Sequence, residues 1–349
     1  MAYTTINKSS LHMNTKLYTG NGGTQSITGV GFQPDLVWGK NRSTTNWHDL
    51  EDSVRGATKR LSSNSTDAEA TETVNFTSFD SDGFSVGSGA NVNGNGNNIV
   101  VWNWKANGAG SANTAGSISS TVSVNTTSGF SIVTYTGTGS DATIGHGLNS
   151  APEMIIQKNT DFAYNWYSWH KDIGIANYIE LNTTSAAEST DSGGDSWNNT
   201  LPTSSVFSIG SDGGTNRSGD THLAYCFHSV QGYSKFGSYV GNGSSDGSFC
   251  YTGMKTSFVM IKRTDSAGNY WHIYDNKRSS SGGSNVINDV LYPNRSDAEY
   301  SEDRIDFVSN GFKIRNTNGD INTSGGNYIF MAFAEAPLVG TNNVPCTAR

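Results

Sequence analysis

The feature that most constrains this chain is a set of landmarks that occurs three times in the same order. Each copy opens with a Tyr-x-Gly-x-Gly stretch, at residues 18–22, 135–139 and 239–243. Each then continues with an apolar run that ends in a lysine, at Lys40, Lys158 and Lys262. These lysines are 158 − 40 = 118 and 262 − 158 = 104 residues apart. A period of this size predicts three copies of one unit, each about as long as a small β-sandwich.

The local pattern of the chain favours strands and tight turns over helices. Apolar residues alternate in short runs such as residues 131–135, and no segment sustains a 3.6-residue period. Asp-Gly and Asn-Gly pairs separate these runs, and the 41 glycines suit turns that need a positive φ. We therefore predict an all-β chain of three tandem β-sandwich repeats with jelly-roll-like topology.

The landmarks also divide the chain into repeats and connecting segments. We predict an N-terminal attachment segment at residues 1–14, and a linker rich in Gly, Ser and Thr at residues 107–128. The three β repeats and the extended C-terminal tail are predicted at residues 15–106, 129–230, 231–336 and 337–349. We expect the attachment segment to dock the protein to a particle or a neighbouring subunit. Repeats two and three nearly abut, so we expect them to pack closely.

Charge, hydropathy and cysteine usage exclude several classes of protein. The net charge is −8 and there is no basic stripe, which argues against a nucleic-acid partner. No run reaches the ~20 apolar residues of a membrane span. The three cysteines are far apart and form no CxxC pair, so we expect neither a disulfide framework nor a metal site nor a cofactor. Cys226 and Cys250 are expected to be small buried residues of a protein made in a reducing cytoplasm.

A tryptophan-histidine pair occurs once in each copy and raises a choice between packing and ligand binding. Neighbouring side chains in a strand face opposite ways, so one member of each pair is expected to enter the core. The alternative is a sugar-binding site, in which an exposed ring stacks on a sugar while a nearby carboxylate binds its hydroxyl groups. The candidate glycan contacts are Trp47, Trp169, Trp271, Asp49, Asp172 and Asp275.

Acidic residues recur without forming a catalytic pattern. A glycosidase usually needs two carboxylates about 5–9.5 Å apart across one cleft. Glu69, Glu188 and Glu299 recur at matching places in the three copies. A single recurring acid is better explained as an acceptor that fixes a loop than as an active site present three times. We therefore assign no catalytic residue and predict that the chain is not an enzyme.

Several stretches of the chain resemble a repeat family common in virion proteins of marine bacteriophages. The matching stretches are residues 31–38, 40–42, 232–239, 331–335 and 344–349. The resemblance covers essentially the whole chain after about residue 11. It implies a structural or tail-fibre-like virion protein with lectin-like sandwich units, and it carries over no catalytic residue.

Repetition and resemblance together predict a bacteriophage virion structural protein of the tail or tail fibre, which acts in adhesion to the host surface. Display of one binding unit three times would raise avidity without new contact chemistry. The expected partners are other virion proteins, a host surface glycan and further copies of this chain, with a homo-oligomeric trimer favoured. The protein would be made in the host cytoplasm and reside in the virion. The alternatives are a capsid decoration or head-fibre protein and, less favoured, a polysaccharide depolymerase.

Overall fold

The structure is a computed structural model that describes residues 3–190, 195–279, 285–340 and 342–344. Twenty-seven strands dominate this part of the chain. Its helices are three α-helical turns of four residues and two single-turn 3₁₀ helices. The predicted all-β class is therefore confirmed.

Unit one comprises residues 13–106. Its strands are β1 (Met13–Thr19), β2 (Gln25–Thr28), β3 (Leu36–Asn41), β4 (Asp49–Asp52), β5 (Gly56–Leu61), β6 (Ala70–Thr71), β7 (Phe76–Asp80), β8 (Gly83–Val86) and β9 (Asn98–Trp104). A 3₁₀ helix (Ser9–Leu11) precedes its first strand, and the helical turn α1 (Ala90–Asn93) precedes its last strand.

Unit two comprises residues 107–230. Its strands are β10 (Ser111–Asn113), β11 (Ser120–Asn125), β12 (Phe130–Thr136), β13 (Ala142–Gly145), β14 (Met154–Asn159), β15 (Tyr167–His170), β16 (Asn177–Glu180), β17 (Glu188–Ser189), β18 (Val206–Ile209) and β19 (Thr221–Phe227). A 3₁₀ helix (Lys171–Ile173) follows β15, and the helical turn α2 (Gly213–Asn216) precedes β19.

Unit three comprises residues 231–337. Its strands are β20 (Ser234–Val240), β21 (Phe249–Tyr251), β22 (Met254–Arg263), β23 (His272–Asp275), β24 (Ile287–Val290), β25 (Tyr300–Val308), β26 (Gly311–Ile314) and β27 (Asn327–Pro337). The helical turn α3 (Gly319–Asn322) precedes β27.

The large sheets of the three units share one order of antiparallel pairing. The central four strands are β1-β9-β3-β4 in unit one, β12-β19-β14-β15 in unit two and β20-β27-β22-β23 in unit three. Strands β5 and β6 extend the first sheet, while β10, β11, β16 and β17 extend the second. A smaller sheet accompanies each large one, with the orders β2-β8-β7, β13-β18 and β21-β26-β25-β24.

Each large sheet is buried on both faces. Its outer face packs on the smaller sheet of the same unit, as Val37 packs on Phe84 in unit one, which makes each unit a β-sandwich. Its inner face packs on the other two large sheets in one core shared by all units. The equivalent rings Trp104, Phe227 and Phe333 meet there, with centroids 5.9 Å and 6.3 Å from Phe333. Because both faces are covered, β3 is buried at every position rather than at alternate ones.

The Tyr-x-Gly-x-Gly stretch is held by equivalent contacts in each unit. The tyrosine hydroxyl donates to a carbonyl of the nearby helical turn, in the pairs Tyr18–Val92, Tyr135–Thr215 and Tyr239–Ile321. A buried asparagine accepts from the N–H between the two glycines, in the pairs Asn21–Asn93, Thr138–Asn216 and Asn242–Asn322. The first glycine has no room for a side chain, since a Cβ at Gly20 would lie 2.2 Å from the Gly94 carbonyl oxygen. The second glycine has a positive φ, +68° at Gly22.

The prediction of a linker at residues 107–128 is wrong, because this segment belongs to the second large sheet. Strand β10 pairs with β11, and β11 pairs with β12 with Val122 opposite Val133. Low apolar content suggested a flexible connection. However, the β-branched Thr and Val residues of the segment suit a pleated, partly buried strand.

The predicted attachment segment, residues 1–14, is part of the folded chain wherever it is described: Met13 and Asn14 begin β1 of unit one, and Tyr3 contacts unit three. Ile6 is buried in the shared core. The Tyr3 hydroxyl donates to the carbonyl of Gly253 at 2.7 Å. Residues 3–11 are therefore part of the folded body, and their role in docking to a particle or a neighbouring subunit stays a prediction.

The structure also bears on the predictions for the cysteines, the C-terminal end of the chain and membrane-spanning segments. Cys226 and Cys250 are free and buried, as predicted, whereas Cys346 lies outside the described residues. Pro337, expected to open the tail, is the last residue of β27, and the rest of the tail is described only in part. Within the described residues, no helix has the length and apolar character needed to cross a membrane.

Candidate functional site

The three units close on one another, so that each contacts both of the others. Backbone N–H groups of Glu69, Ala187 and Glu299 donate to the carbonyls of Thr160, Thr264 and Arg42, respectively. A buried ring also donates to a carbonyl across each interface, in the pairs Trp166–Ser62, Trp271–Glu180 and His48–Tyr292. We call the three contact regions the one–two, two–three and three–one interfaces.

The three–one interface contains a buried ionic network, which we call the lock. The Arg278 guanidinium lies 2.6 Å from both the Asp275 and the Glu299 carboxylates. Trp102 of unit one donates its indole N–H to Asp275 at 2.9 Å. Arg42 of unit one binds Glu299 through its Nε at 2.9 Å. The network joins unit three to unit one, with the Arg278–Asp275 pair fully shielded from water and the Arg42–Glu299 pair partly exposed.

The one–two interface contains a second lock at equivalent positions. The Arg55 guanidinium lies 2.6 Å from the Asp52 carboxylate and 3.1 Å from the Glu69 carboxylate. Tyr225 of unit two donates its hydroxyl to Asp52 at 2.9 Å. Two recurring glutamates, Glu69 and Glu299, thus act as partly buried acceptors, in keeping with the prediction that they fix loops.

The two–three interface lacks such a network among the described residues. Strand pairing places His170 at the position of the lock aspartates. Ile173 stands where the sequence spacing would place the lock arginine. Met331, the equivalent of the donors Trp102 and Tyr225, has no N–H or O–H group in its side chain. Burial lowers the pKa of His170 to about 4, so this residue is neutral near pH 7.

The volume of open space beside each interface also differs, and it is largest at the interface where the described residues form no ionic network of this kind. At the one–two interface, the segment before β10 covers the equivalent place, with the Ser53 hydroxyl donating to the Gly108 carbonyl at 2.6 Å. At the three–one interface, a hollow of about 60 Å³ lies beside Asn14 and Lys277. At the two–three interface, two adjoining hollows have volumes of about 270 Å³ and about 360 Å³. We call this pair of hollows the groove.

Two exposed aromatic rings distinguish the groove from the equivalent surfaces of units one and two. Phe249 and Tyr251 are 49% and 58% exposed, while Cys250 between them points inward. Strand pairing places Ser26 and Thr28 at the equivalent positions of unit one, and Thr143 and Gly145 at those of unit two. The folding of this strand therefore does not require large rings at these positions. A contiguous exposed patch of apolar rings is typical of a binding surface.

Polar groups with free bonding capacity lie beside these rings. Lys235 is half-buried and makes no ion pair with any described residue. Asp172 is 30% exposed, and its carboxylate is 4.0 Å from the neutral His170 ring. Lys171 is bound to Glu153 at 3.2 Å, so its charge is largely compensated. Partial burial and the neighbouring Tyr251 hydroxyl raise the pKa of Tyr3, which closes the far end of the groove.

The structure separates the six predicted glycan contacts rather than gathering them. Trp169, Trp271, Asp49 and Asp275 are buried and cannot meet a ligand at the surface, which corrects their assignment. Trp47 is exposed, but Arg60 covers its ring with the guanidinium carbon 5.2 Å from the ring centroid. Only Asp172 lies in the groove.

The tryptophan-histidine pairs are also not equivalent in register, contrary to the sequence alignment. Strand pairing places His48, Trp166 and Trp271 at one position, where each ring donates across an interface. Sequence reasoning aligned Trp47 and Trp169 with Trp271 because the dipeptides look alike. It missed Lys235, Phe249 and Tyr251, although an alignment of the three copies by strand shows that these residue types occupy these positions only in unit three.

A buried carboxylate pair lies in unit one, away from the groove. Asp49 and Glu51 are two residues apart on one face of β4, and both are fully buried. Burial raises the pKa of Asp49 to about 7 and raises the pKa of Glu51 well above its usual range. Asn91 donates to Asp49 at 3.0 Å. A substrate has no access to these groups, so we treat them as part of the sheet packing.

The described residues contain no group of three or more His, Cys, Asp or Glu side chains placed to hold a metal ion. No curated protein matches the sequence. A family model described as a domain of unknown function (DUF7483) matches residues 8–337, which include all three units and both walls of the groove. The chain therefore belongs to the DUF7483 family.

Proposed function

We propose that this protein is a bacteriophage virion structural protein of the tail or tail fibre, and that it binds a glycan of the host surface in the groove. The observation that carries the proposal is the pair of exposed rings Phe249 and Tyr251 beside uncompensated polar groups. Flat rings bind the apolar face of a sugar, while carboxylate and amine groups bind its hydroxyl groups and substituents. The combined volume of the groove falls in the range of small-molecule binding sites.

The virion part of the proposal rests on the sequence resemblance and is supported by the way the chain folds. Three sandwiches share one core, so the body is stabilised without disulfide bonds in the described residues. A rigid body of this kind presents a groove on fixed elements, which favours specific binding. We also propose that the chain forms a homotrimer and assembles with other virion proteins.

Glycan binding is tested with the double variant F249A/Y251A on an array of bacterial surface polysaccharides. A binding hot spot contributes roughly 2 kcal/mol or more, so we expect at least a ~30-fold loss of affinity. Y300A is the matched control, because Tyr300 is 54% exposed and does not line the groove. Equal affinity of the double variant and the wild type would contradict the proposed site.

Position in the particle is tested by immunogold labelling of purified phage. Label on the tail is expected. Label on the capsid shell would instead favour a decoration or head-fibre protein. It would not affect the conclusion of the glycan-binding experiment. New reducing ends released from a bound polysaccharide would show that the chain is a depolymerase and would overturn the assignment as a non-enzyme.

A further inference from the structure

We propose that the groove selects an acidic sugar, one that bears a carboxylate or sulfate group, and that Lys235 binds this group. This inference rests on the proposed glycan-binding function and specifies its ligand. It starts from the position of Lys235 on β20, in the part of the groove shared by the two hollows.

Lys235 has no ion-pair partner among the described residues. Its side chain is half-buried and lines both hollows together with Tyr251. The nearby Lys171 already has Glu153 as its partner. Lys235 is thus a cation placed at the groove with its partner still to be supplied.

The equivalent positions in the other two units are occupied by neutral residues. Strand pairing places Asn14 of unit one and Ser131 of unit two where unit three has Lys235. The strand therefore forms with a neutral residue at this position. The lysine occurs only in the unit whose interface is open and whose edge strand carries exposed aromatic rings.

The charge of the chain as a whole does not favour an acidic ligand. With a net charge of −8, long-range electrostatics repel an acidic polymer rather than attract it. Selection of an acidic sugar therefore requires a local cation at the contact itself. Asp172, on the opposite wall, is then available to accept hydrogen bonds from sugar hydroxyl groups.

The experiment uses the full-length protein and an array that holds each acidic glycan beside its carboxyl-reduced or desulfated counterpart. We expect the wild type to bind acidic members at least about tenfold more tightly than their neutral counterparts. The variant K235Q should lose this preference while its weak binding of the neutral counterparts changes by less than about twofold. Carboxyl-reduced and desulfated members distinguish a carboxylate ligand from a sulfate ligand.

The matched control is K277Q, which removes the same charge beside the small hollow of the three–one interface. It should bind like the wild type. Equal binding of charged and neutral counterparts by the wild type, or an unchanged preference in K235Q, would overturn the acidic-sugar inference and leave glycan binding intact. Absence of binding to every member by folded wild-type protein would count against the proposed function itself.

Discussion

The three–one and two–three interfaces join equivalent surfaces, yet one is locked and the other is open. The locked interface buries Arg278 between two carboxylates and leaves a hollow of about 60 Å³. The open interface has His170 and Ile173 at the equivalent positions and hollows of about 270 Å³ and 360 Å³. Because the units are repeats, each interface serves as a reference for the equivalent positions of the others. Where the residue type differs only at the open interface, the fold does not require that particular side chain.

The largest expected effect is the loss of a lock arginine. R278M removes the partner of two buried carboxylates, and breaking a buried pair in this way costs about 3–5 kcal/mol. I173A, at the equivalent position of the open interface, removes only apolar contacts and should cost about 1–2 kcal/mol. Urea unfolding measures both free energies. Similar losses in the two variants would abolish the distinction between locked and open interfaces.

The second effect is a pH dependence located at the open interface. Burial holds the pKa of His170 at about 4, below the usual 6.5 of the unfolded chain. Between these values the unfolded state binds a proton that the folded state does not, so stability falls as the pH drops from 6.5 towards 4. The contribution is at most about 3 kcal/mol.

The matched variant for this pH test is H170Q, whose stability should fall less steeply over the same range. Asp49 and Glu51 act in the opposite direction, because burial raises the pKa of both. They are present in both proteins, so the difference between the two unfolding curves isolates His170. Parallel curves would contradict the assignment.

The third effect concerns a contact that the two–three and one–two interfaces have in common. W271F and W166F each remove an indole N–H that donates to a buried carbonyl at 2.9 Å, one at the two–three and one at the one–two interface. We expect each to lower the free energy of unfolding by about 1–3 kcal/mol. Thermal or urea unfolding should give similar losses. A much smaller loss for W271F would mean that the open interface is loose along its whole length.

The smallest expected effect is on the stability of the groove variants. F249A and Y251A remove rings that are about half exposed and whose equivalents are small residues in the other units. Each should change the free energy of unfolding by less than about 0.5 kcal/mol. A loss above about 1.5 kcal/mol in urea unfolding would show that the rings support the fold and weaken the case for a binding surface.

Much of the fold could be predicted because its signals are local. The Tyr-x-Gly-x-Gly stretch marks a turn in which Gly20 has no room for a side chain and Gly22 has a positive φ. Strand-forming residues and turn pairs were enough to predict the all-β class. The segment 107–128 was misjudged because a strand covered by neighbours needs few large apolar residues, and the partner strand is not visible in the sequence.

The candidate site could be predicted only in part because it depends on which units face each other. Asp172 was identified, but through an alignment that matched Trp169 with Trp271 rather than with Glu51 and Tyr274. A one- to three-residue error of register moves side chains between the core and the surface. Lys235 and Tyr251 carry no recognisable motif. They stand out only when the strands of the three units are superposed through their pairing.

The closure of unit three on unit one has a consequence for synthesis in the cell. Arg42 and its partner Glu299 are 257 residues apart in the chain. At a translation rate of about 5–20 residues per second, unit one waits roughly 10–50 s for that partner to leave the ribosome. During this time its inner face, including Trp102 and Trp104, has no permanent cover. Early domain-by-domain folding is therefore incomplete for this chain, and nascent units of neighbouring polypeptides can exchange places unless a chaperone shields them.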